Sequence, residues 1–246
     1  MFPQITFSVS QKNRKHFVDT MELKVIARIR TDFPTKFGIP RQSGLTDLES
    51  AIVFEPEYRN PEALRGLEGF SHLWLIWEFS EAKKENWSPT VRPPRLGGNR
   101  RMGVFATRSP FRPNSIGLSS VKLLRIEDSK EGKVLIVSGA DMMDGTPIFD
   151  IKPYLPFADS HPEASGGFAE EKFHENLEVI FPGELLELIP EGKREALTEI
   201  LREDLRPHYI KDPARLFGFP FAGFEVRFTV EGNTLTVREV EATNSL

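Results

Sequence analysis

Through the first two thirds of the chain, apolar residues alternate with polar ones in short runs, and no run keeps the spacing of a long helix. In ELKVIARIR (22–30), Leu23, Val25, Ala27 and Ile29 fall on one side and Lys24, Arg28 and Arg30 on the other. That alternation predicts a half-buried strand, with Ile26 the exception. AIVFEP (51–56) predicts a second strand, and FSHLWLIWEF (70–79), apolar on both faces, one buried on two sides. RMGVFATR (101–108), SIGLSSVKLLRIE (115–127), KVLIVSGA (133–140) and PIFDIKPYLP (147–156) predict further strands, with DSKEGK (128–133) as a turn. Consecutive strands without intervening helical segments predict an antiparallel sheet closing on itself into a barrel, rather than alternating βαβ units.

After about Ser165 the texture changes. LEVIFP (177–182) reads as a strand, and PGELLELIPEGKREALTEILRED (182–204) as helical, with Ala196, Leu197, Ile200 and Leu201 forming one stripe. FEVRFTVEGNTLTVREVEA (224–242) reads as a hairpin turning around Glu231-Gly232-Asn233. The small-residue stretch ADSHPEASGGFAEE (158–171) marks the boundary. The expected fold class is therefore mainly β. An N-terminal extension (1–20) precedes an antiparallel β-barrel domain (21–160), and a small α+β domain (165–246) follows it.

Composition sharpens this picture in two places. The 246 residues include no cysteine, which removes disulfides, thiolate nucleophiles and cysteine-ligated metals, and the five histidines are scattered with no i,i+4 pair. No metal site is expected. No apolar run approaches the ~20 residues of a membrane span, and the first residues lack the apolar core of a signal peptide, so the expected location is cytoplasmic. The formal net charge of -4 hides a segregation. Between Glu85 and Glu127 there is no acidic residue, while Arg92, Arg95, Arg100, Arg101, Arg108, Arg112, Lys122 and Arg125 all fall there. One reading is a solvated loop paired with acids elsewhere; the other is a face for a polyanion such as RNA.

Four stretches carry candidate chemistry. Pro40, Arg41 and Gln42 lie in a Gly/Pro-framed loop, GIPRQSG (38–44), which by itself reads as a turn. His72, inside an apolar strand, by itself reads as a hydrogen-bonded core residue. In ATRSPFRPNSIGLS (106–119), Pro110 and Pro113 stiffen the loop that presents Arg108 and Arg112. In DMMDGTPIFDIKPYLP (141–156), the turn Asp144-Gly145-Thr146-Pro147 offers a carboxylate and free backbone groups, and Asp150, Lys152 and Tyr154 share one strand face. Two ordered loops, 32–47 and 85–99, are long enough to be functional. The chain contains no G-x-G, no phosphate-binding P-loop and no G-x-S-x-G nucleophile elbow. An enzyme built this way would act by positioning two bound partners, with the chemistry supplied by a cofactor.

HLWLIW (72–77), VRPPRLGGN (91–99), RRMGVFATRSPFRPN (100–114), IGLS (116–119), DGTP (144–147) and FDIKPYLP (149–156), in this order, closely resemble the TsaA/TrmO-like family. The likeness spans about residues 22–157 and continues more loosely through EDLRPHY (203–209) and FAGFEVRF (221–228). The resemblance implies a β-barrel tRNA methyltransferase using S-adenosylmethionine to methylate N6 of threonylcarbamoyl-adenosine beside the anticodon. It implies a homodimer with cofactor sites near the subunit interface. By motif, the cofactor contacts would be Pro40, Arg41, Gln42, His72, Leu73, Arg108, Leu118, Asp144, Gly145, Thr146 and Pro147. For the reaction, Asp150 and Tyr154 are candidates to hydrogen-bond or deprotonate the acceptor nitrogen. Arg92, Arg112 or Lys152 would meet the threonyl carboxylate, while Arg100 and Arg101 follow tRNA phosphates. Two departures stand out. The family's Arg-Pro-Asn-Pro is Arg112-Pro113-Asn114-Ser115 here, which predicts a looser loop, and its Asp-Pro-Arg-Pro-Ala-Tyr is Asp204-Leu205-Arg206-Pro207-His208-Tyr209. Two rivals stay open: a non-catalytic RNA-binding module, and a methyltransferase with a different acceptor.

Overall fold

The computed structural model describes residues 21–82, 87–93, 100–172, 176–206 and 212–243. The expectations placed on residues 1–20, Arg95, Pro207, His208 and Tyr209 lie outside the described residues. The chain is mainly β. Six strands, β1 (Ala27–Arg30), β2 (Glu49–Phe54), β3 (His72–Glu78), β6 (Ile116–Ser129), β7 (Gly132–Ser138) and β8 (Pro147–Pro153), pair in a closed ring of order β1-β2-β7-β6-β3-β8. Every pairing in that ring is antiparallel.

Antiparallel closure fixes which connections share an end. Arg30, Glu49, Ser138, Ile116, Glu78 and Pro147 end or begin their strands on one side, so residues 31–48, 79–115 and 139–146 emerge together there. Segment 79–115 contains the two-residue strands β4 (Thr90–Val91) and β5 (Met102–Gly103), which pair with each other. The opposite end carries residues 55–71, the tight turn 130–131 and the chain's departure after β8.

Inward positions of the ring strands are filled by Ala27, Ile29, Ile52, Leu73, Leu75, Trp77, Val121, Leu135, Val137 and Ile148, all buried. The inner position before Ser119 is glycine because Trp77 crosses to it: a Cβ on Gly117 would collide with the Trp77 indole. β3 shows its alternation clearly, since its inward residues are buried and its outward Trp74 and Ile76 only half-buried, where the sequence predicted burial on both faces.

The second sheet has the order β10-β11-β12-β9, from β9 (Glu178–Ile180), β10 (Phe217–Phe221), β11 (Phe224–Glu231) and β12 (Thr234–Ala242), with β9 parallel to β12. Two short helices, α1 (Pro156–Asp159) and α2 (Gly183–Leu186), precede α3 (Glu191–Arg202), which buries Ala196, Leu197, Ile200 and Leu201 against this sheet. The same hydrophobic cluster takes in Phe33 and Leu48 from segment 31–48. Gly38, at φ +99°, lets that segment press against Phe219, where a Cβ would strike the ring. Lys193 Nζ closes the seam on Asp32 at 2.5 and 2.6 Å.

Three sequence expectations are corrected. The strand predicted from residue 22 begins at Ala27, and Leu23 is exposed. RMGVFATR is a two-residue strand followed by a 3-10 turn at Val104–Ala106, because Val104 alone turns inward. β10 was not predicted at all. Its alternating Phe217, Phe219 and Phe221 are buried, but Gly218 and Pro220 between them masked the pattern, and Pro220 is tolerated because β10 is an edge strand.

Candidate functional site

The end that carries the three long segments is held by side chains rather than by strand pairing. Asp144 Oδ1 accepts from the Thr31 amide at 3.0 Å, tying segment 139–146 to the start of 31–48, with Arg30 Nη1 at 3.8 Å from Oδ2. Gln42 Oε1 accepts from Arg108 Nη1 at 2.6 Å, tying 31–48 to 79–115. Arg41 reaches the other way, its guanidinium donating to the Asp204 carbonyl and its amide to Glu203 Oε2 at 3.5 Å. Pro40 is buried beside it. Asp204, in turn, holds Arg206 Nε at 2.9 and 3.2 Å.

The backbone groups of the Asp144-Gly145-Thr146-Pro147 turn, expected to be free, are in use. The amides of Asp144, Gly145 and Thr146 donate to Phe33, Ile29 and Met143 carbonyls at 2.8, 2.8 and 3.2 Å. The Thr146 carbonyl accepts from Ile29, and that of Gly145 from Arg28 Nη1, at 3.2 Å each. The reason is topological: this turn splices β8 onto β1, so its backbone completes the ring. What it still presents is space, since Gly145, at φ +76°, has no atom within 4 Å of where a Cβ would stand.

A buried chain of polar groups underlies this end and was missed by the sequence reading. Trp77 Nε1 donates to Ser119 Oγ at 2.9 Å, and Ser119 Oγ donates to Asp141 Oδ1 at 2.6 Å. Burial pushes the Asp141 carboxyl up, against the lowering effects of the Ser119 hydroxyl, backbone amides and the Arg108 charge. A signal existed. Gly117, Ser119, Val121 and Leu123 occupy successive inward positions, and a lone hydroxyl among them demands an internal partner.

Arg92, Arg100 and Arg101 are exposed on segment 79–115, with Arg101 Nη1 on Thr90 Oγ1 at 3.2 Å. Arg112 instead braces its own loop through the Thr107 carbonyl at 3.2 Å. The loop expected to be loose is tied: Ser115 Oγ donates to the Pro110 carbonyl at 3.2 Å and the Ser115 carbonyl accepts from Phe79 at 2.9 Å. The serine hydroxyl makes a tie across the loop that a proline, having no hydroxyl, could not.

The remaining predicted residues gather elsewhere. His72, Trp74 and Tyr154 pack ring against ring at 6.1 and 5.6 Å, near the opposite end. Trp74 Nε1 and the Leu155 amide both donate to Asp159 Oδ2, at 3.0 and 2.8 Å. Asp150 and Lys152 lie on the outer face opposite Ile76 and Trp74, and their side chains pair at 2.9 Å. Leu118 shares that outer face, exposed opposite Ile76, four residues or ~13 Å along the strand from the position facing His72. Leu73 points inward and is fully buried. A single copy thus brings Pro40, Arg41, Gln42, Arg108 and 144–147 to one end of the ring, sets Leu118 on the outer face near that end, buries Leu73 inside and leaves His72 near the opposite end. A cleft of 280 Å³ where the ring meets α3 is lined by Arg30, Asp32, Glu49 and Lys193, two charges of each sign, which gives it no bias toward a polyanion. Among the described residues no helix is long and apolar enough to cross a membrane.

Residues 28–160 match the family model of the tRNA-methyltransferase O N-terminal domain, and residues 174–243 match that of the TrmO C-terminal domain. The chain is 41% identical over 222 residues to a protein of Escherichia coli (strain K12) named tRNA (adenine(37)-N6)-methyltransferase, covering 87% of this chain and 94% of the relative. It is 45% identical over 174 residues to one of the same name from Eikenella corrodens, covering 70% of this chain and 98% of the relative. A crystal structure of TrmO from P. aeruginosa superposes with a TM-score of 0.75 at 31% identity, covering 93% of this chain and 100% of that one. The chain therefore belongs to the tRNA-methyltransferase O family, a family of methyltransferases.

Proposed function

We propose that this chain transfers a methyl group from S-adenosylmethionine to N6 of threonylcarbamoyl-adenosine beside the anticodon of tRNA, and that residues 21–160 form the TsaA-like barrel domain for it. The named relatives support adenine-37 N6 as the acceptor, and another relative, 39% identical over 215 residues, is named as a candidate S-adenosylmethionine-dependent methyltransferase. The observation that carries the reading is the convergence of segments 31–48, 79–115 and 139–146, with the exposed arginines among them, on one end of the ring.

The residues at that end fit the cofactor. Arg108 is exposed and offers a cation to an amino-acid carboxylate, the Gln42 amide and Asp144 carboxylate offer partners for hydroxyl and ammonium groups, and Gly145 leaves room for close approach. S-adenosylmethionine supplies the electrophilic methyl carbon of a sulfonium. The chain's part is to align and desolvate the acceptor nitrogen, which is a weak nucleophile next to a carbonyl. Asp150 is proposed to accept the N6 hydrogen, held in place by Lys152 and its own chain's Ile151 amide at 2.9 Å each. Tyr154, in the ring cluster with His72 and Trp74, is the other residue proposed to hydrogen-bond the acceptor. The threonyl carboxylate would meet Lys152, Arg92 or Arg112. His72 and Leu118 would join the loop end of a second copy in a homodimer, whose seam the exposed apolar pair Ile116 and Leu118 on the outer face of β6 would help to form.

Nucleoside mass spectrometry of tRNA incubated with the purified protein tests this. Methylated threonylcarbamoyl-adenosine should appear only with cofactor and with threonylcarbamoylated tRNA. A product on the unmodified transcript would mean a different acceptor, and cofactor-independent binding without product would leave an RNA-binding module. Arg100→Ala and Arg101→Ala should each weaken tRNA binding and reduce the salt slope by about one. An unchanged slope would remove them from the phosphate path.

A further inference from the structure

Segment 79–115 holds a feature that methyl transfer and phosphate contacts leave unused. The rings of Trp87 and Phe105 stack on each other, with centroids 6.2 Å apart and planes 28° from parallel, and both lie in solvent, Trp87 at 51% and Phe105 at 74% exposure. The 3-10 turn Val104–Ala106 puts its smaller apolar side chain inside and its larger one outside: Val104 is buried and Phe105 is not. Burying a phenylalanine ring is normally worth more than burying a valine, so the arrangement forgoes stability.

The backbone that carries the exposed rings is nevertheless tied. The Val104 amide donates to the Pro89 carbonyl at 3.0 Å, and Thr90 pairs with Gly103 across β4 and β5. Thr107 grips the Val104 carbonyl with both its amide and its hydroxyl, at 3.1 and 2.8 Å. On the other arm, Ser88 Oγ donates to the Thr90 carbonyl at 2.8 Å. Two rings already stacked on a tied backbone lose less freedom when a flat ligand settles on them than two separate side chains would. Its surroundings select the kind of ligand. Arg92, Arg100 and Arg101 are exposed on the same segment, and no acidic residue lies between Glu85 and Glu127. Planar aromatic faces set among arginines suit unpaired nucleotides, whose bases stack while their phosphates are neutralised.

We propose that Trp87 and Phe105 form a stacking platform for an unpaired base of the RNA substrate, a nucleotide other than the one methylated. The inference rests on the tRNA reading of this chain and adds the residues that grip a neighbouring base. Phe105 offers its free face, backed by Trp87, and the arginines hold the phosphates on either side. The platform is an anchor for the substrate and takes no part in the methyl transfer.

The test compares Phe105→Leu, Phe105→Trp and Trp87→Leu with the unchanged protein. Equilibrium tRNA binding, KM and kcat for tRNA, cofactor affinity and sedimentation mass are measured for each. Leucine keeps an apolar side chain and removes the π face. Either leucine variant should weaken tRNA binding and raise KM for tRNA about tenfold while kcat and cofactor affinity stay put, and Phe105→Trp should bind as well as the unchanged protein. Unaltered tRNA binding in both leucine variants would overturn the platform. So would a fall in sedimentation mass that accounts for the weaker binding, since the rings would then hold a second copy of the chain. Binding needs no turnover, so the two readings fail separately. Loss of tRNA binding in Phe105→Leu, with no methylated product from any protein, keeps the platform and sinks the reaction. Normal product formation at unchanged KM in both leucine variants does the reverse.

Discussion

At one end of the ring the chain passes from β6 to β7 through residues 130–131, with Gly132 at φ +93°, Ser129 Oγ on the Gly132 carbonyl at 2.7 Å and Lys133 paired with Asp128 at 3.0 Å. At the other end it wanders through residues 31–48, 79–115 and 139–146 before each return to the ring. The turn at the first end is closed by bonds between near neighbours in sequence. The second is closed by bonds between distant segments: Asp144 to Thr31, Arg108 to Gln42, Ser119 to Asp141. A turn of the first kind forms wherever its own residues go. A surface of the second kind exists only once the ring has placed its three segments side by side, and its side chains can be exchanged without breaking a strand. That is why the proposed chemistry is assigned to that surface, while the buried ring between the two ends carries the core.

The largest effect should come from the layer both ends share. Leu75 is fully buried in the ring. Leu75→Ala should cost about 2–5 kcal/mol. Calorimetry should show Tm lower by roughly 2–4 °C for each of those kcal/mol. A drop of less than about 2 °C would mean that the ring does not unfold as one unit.

A smaller effect, confined to the loop end, should come from Asp141→Asn. Burial raises the Asp141 carboxyl above its ordinary value, so the folded chain holds that proton more tightly than the unfolded one. Folding then takes up a proton between the ordinary and the raised pKa. The aspartate's contribution to stability falls as pH rises through that window and is level above it. Asparagine has no such slope, and its carbonyl can still accept from Ser119. The variant should therefore gain in Tm on the unchanged protein as pH rises above the ordinary carboxylate range, and the gain should level off once the raised pKa is passed. The opposite trend would show that the Arg108 charge outweighs burial.

The contrast between the ends also explains what could be read from the sequence. Ring strands advertise themselves because inward residues recur every second position, as in β6 with Gly117, Val121 and Leu123. The α3 stripe was legible for the same reason at helical period. β10 was not, because glycine and proline stand where its alternation needed ordinary polar residues. The candidate site was legible as motifs and as a charge imbalance on segments that the ring brings to one end. Its internal wiring was not. Whether Gly145 presents a free amide, or Arg112 an idle guanidinium, depends on which distant segment arrives beside it, and local spacing carries no record of that. Asp144 stands out because Gly145, Thr146 and Pro147 follow it as a turn, whereas nothing beside Asp141 records that Ser119 and Trp77 arrive over it.

The finest test of the comparison lies at Ser115. Its hydroxyl is a single bond to the Pro110 carbonyl, at 3.2 Å, within a segment otherwise held by Arg112 on Thr107 and Phe79 on Ser115. Ser115→Ala removes that bond and nothing else, so the cost should be about 0.5–1.5 kcal/mol, the smallest of the series. Hydrogen exchange is the measurement suited to it. If the loop end is closed by independent long-range ties, faster exchange should stay within residues 109–116 and leave amides of 31–48 and the ring strands unchanged. Faster exchange spreading into 31–48 would show instead that the three segments form one cooperative layer. The difference between the two ends would then lie in the length of the connections alone, and the ties at Asp144, Gln42 and Asp141 could no longer be treated as separable.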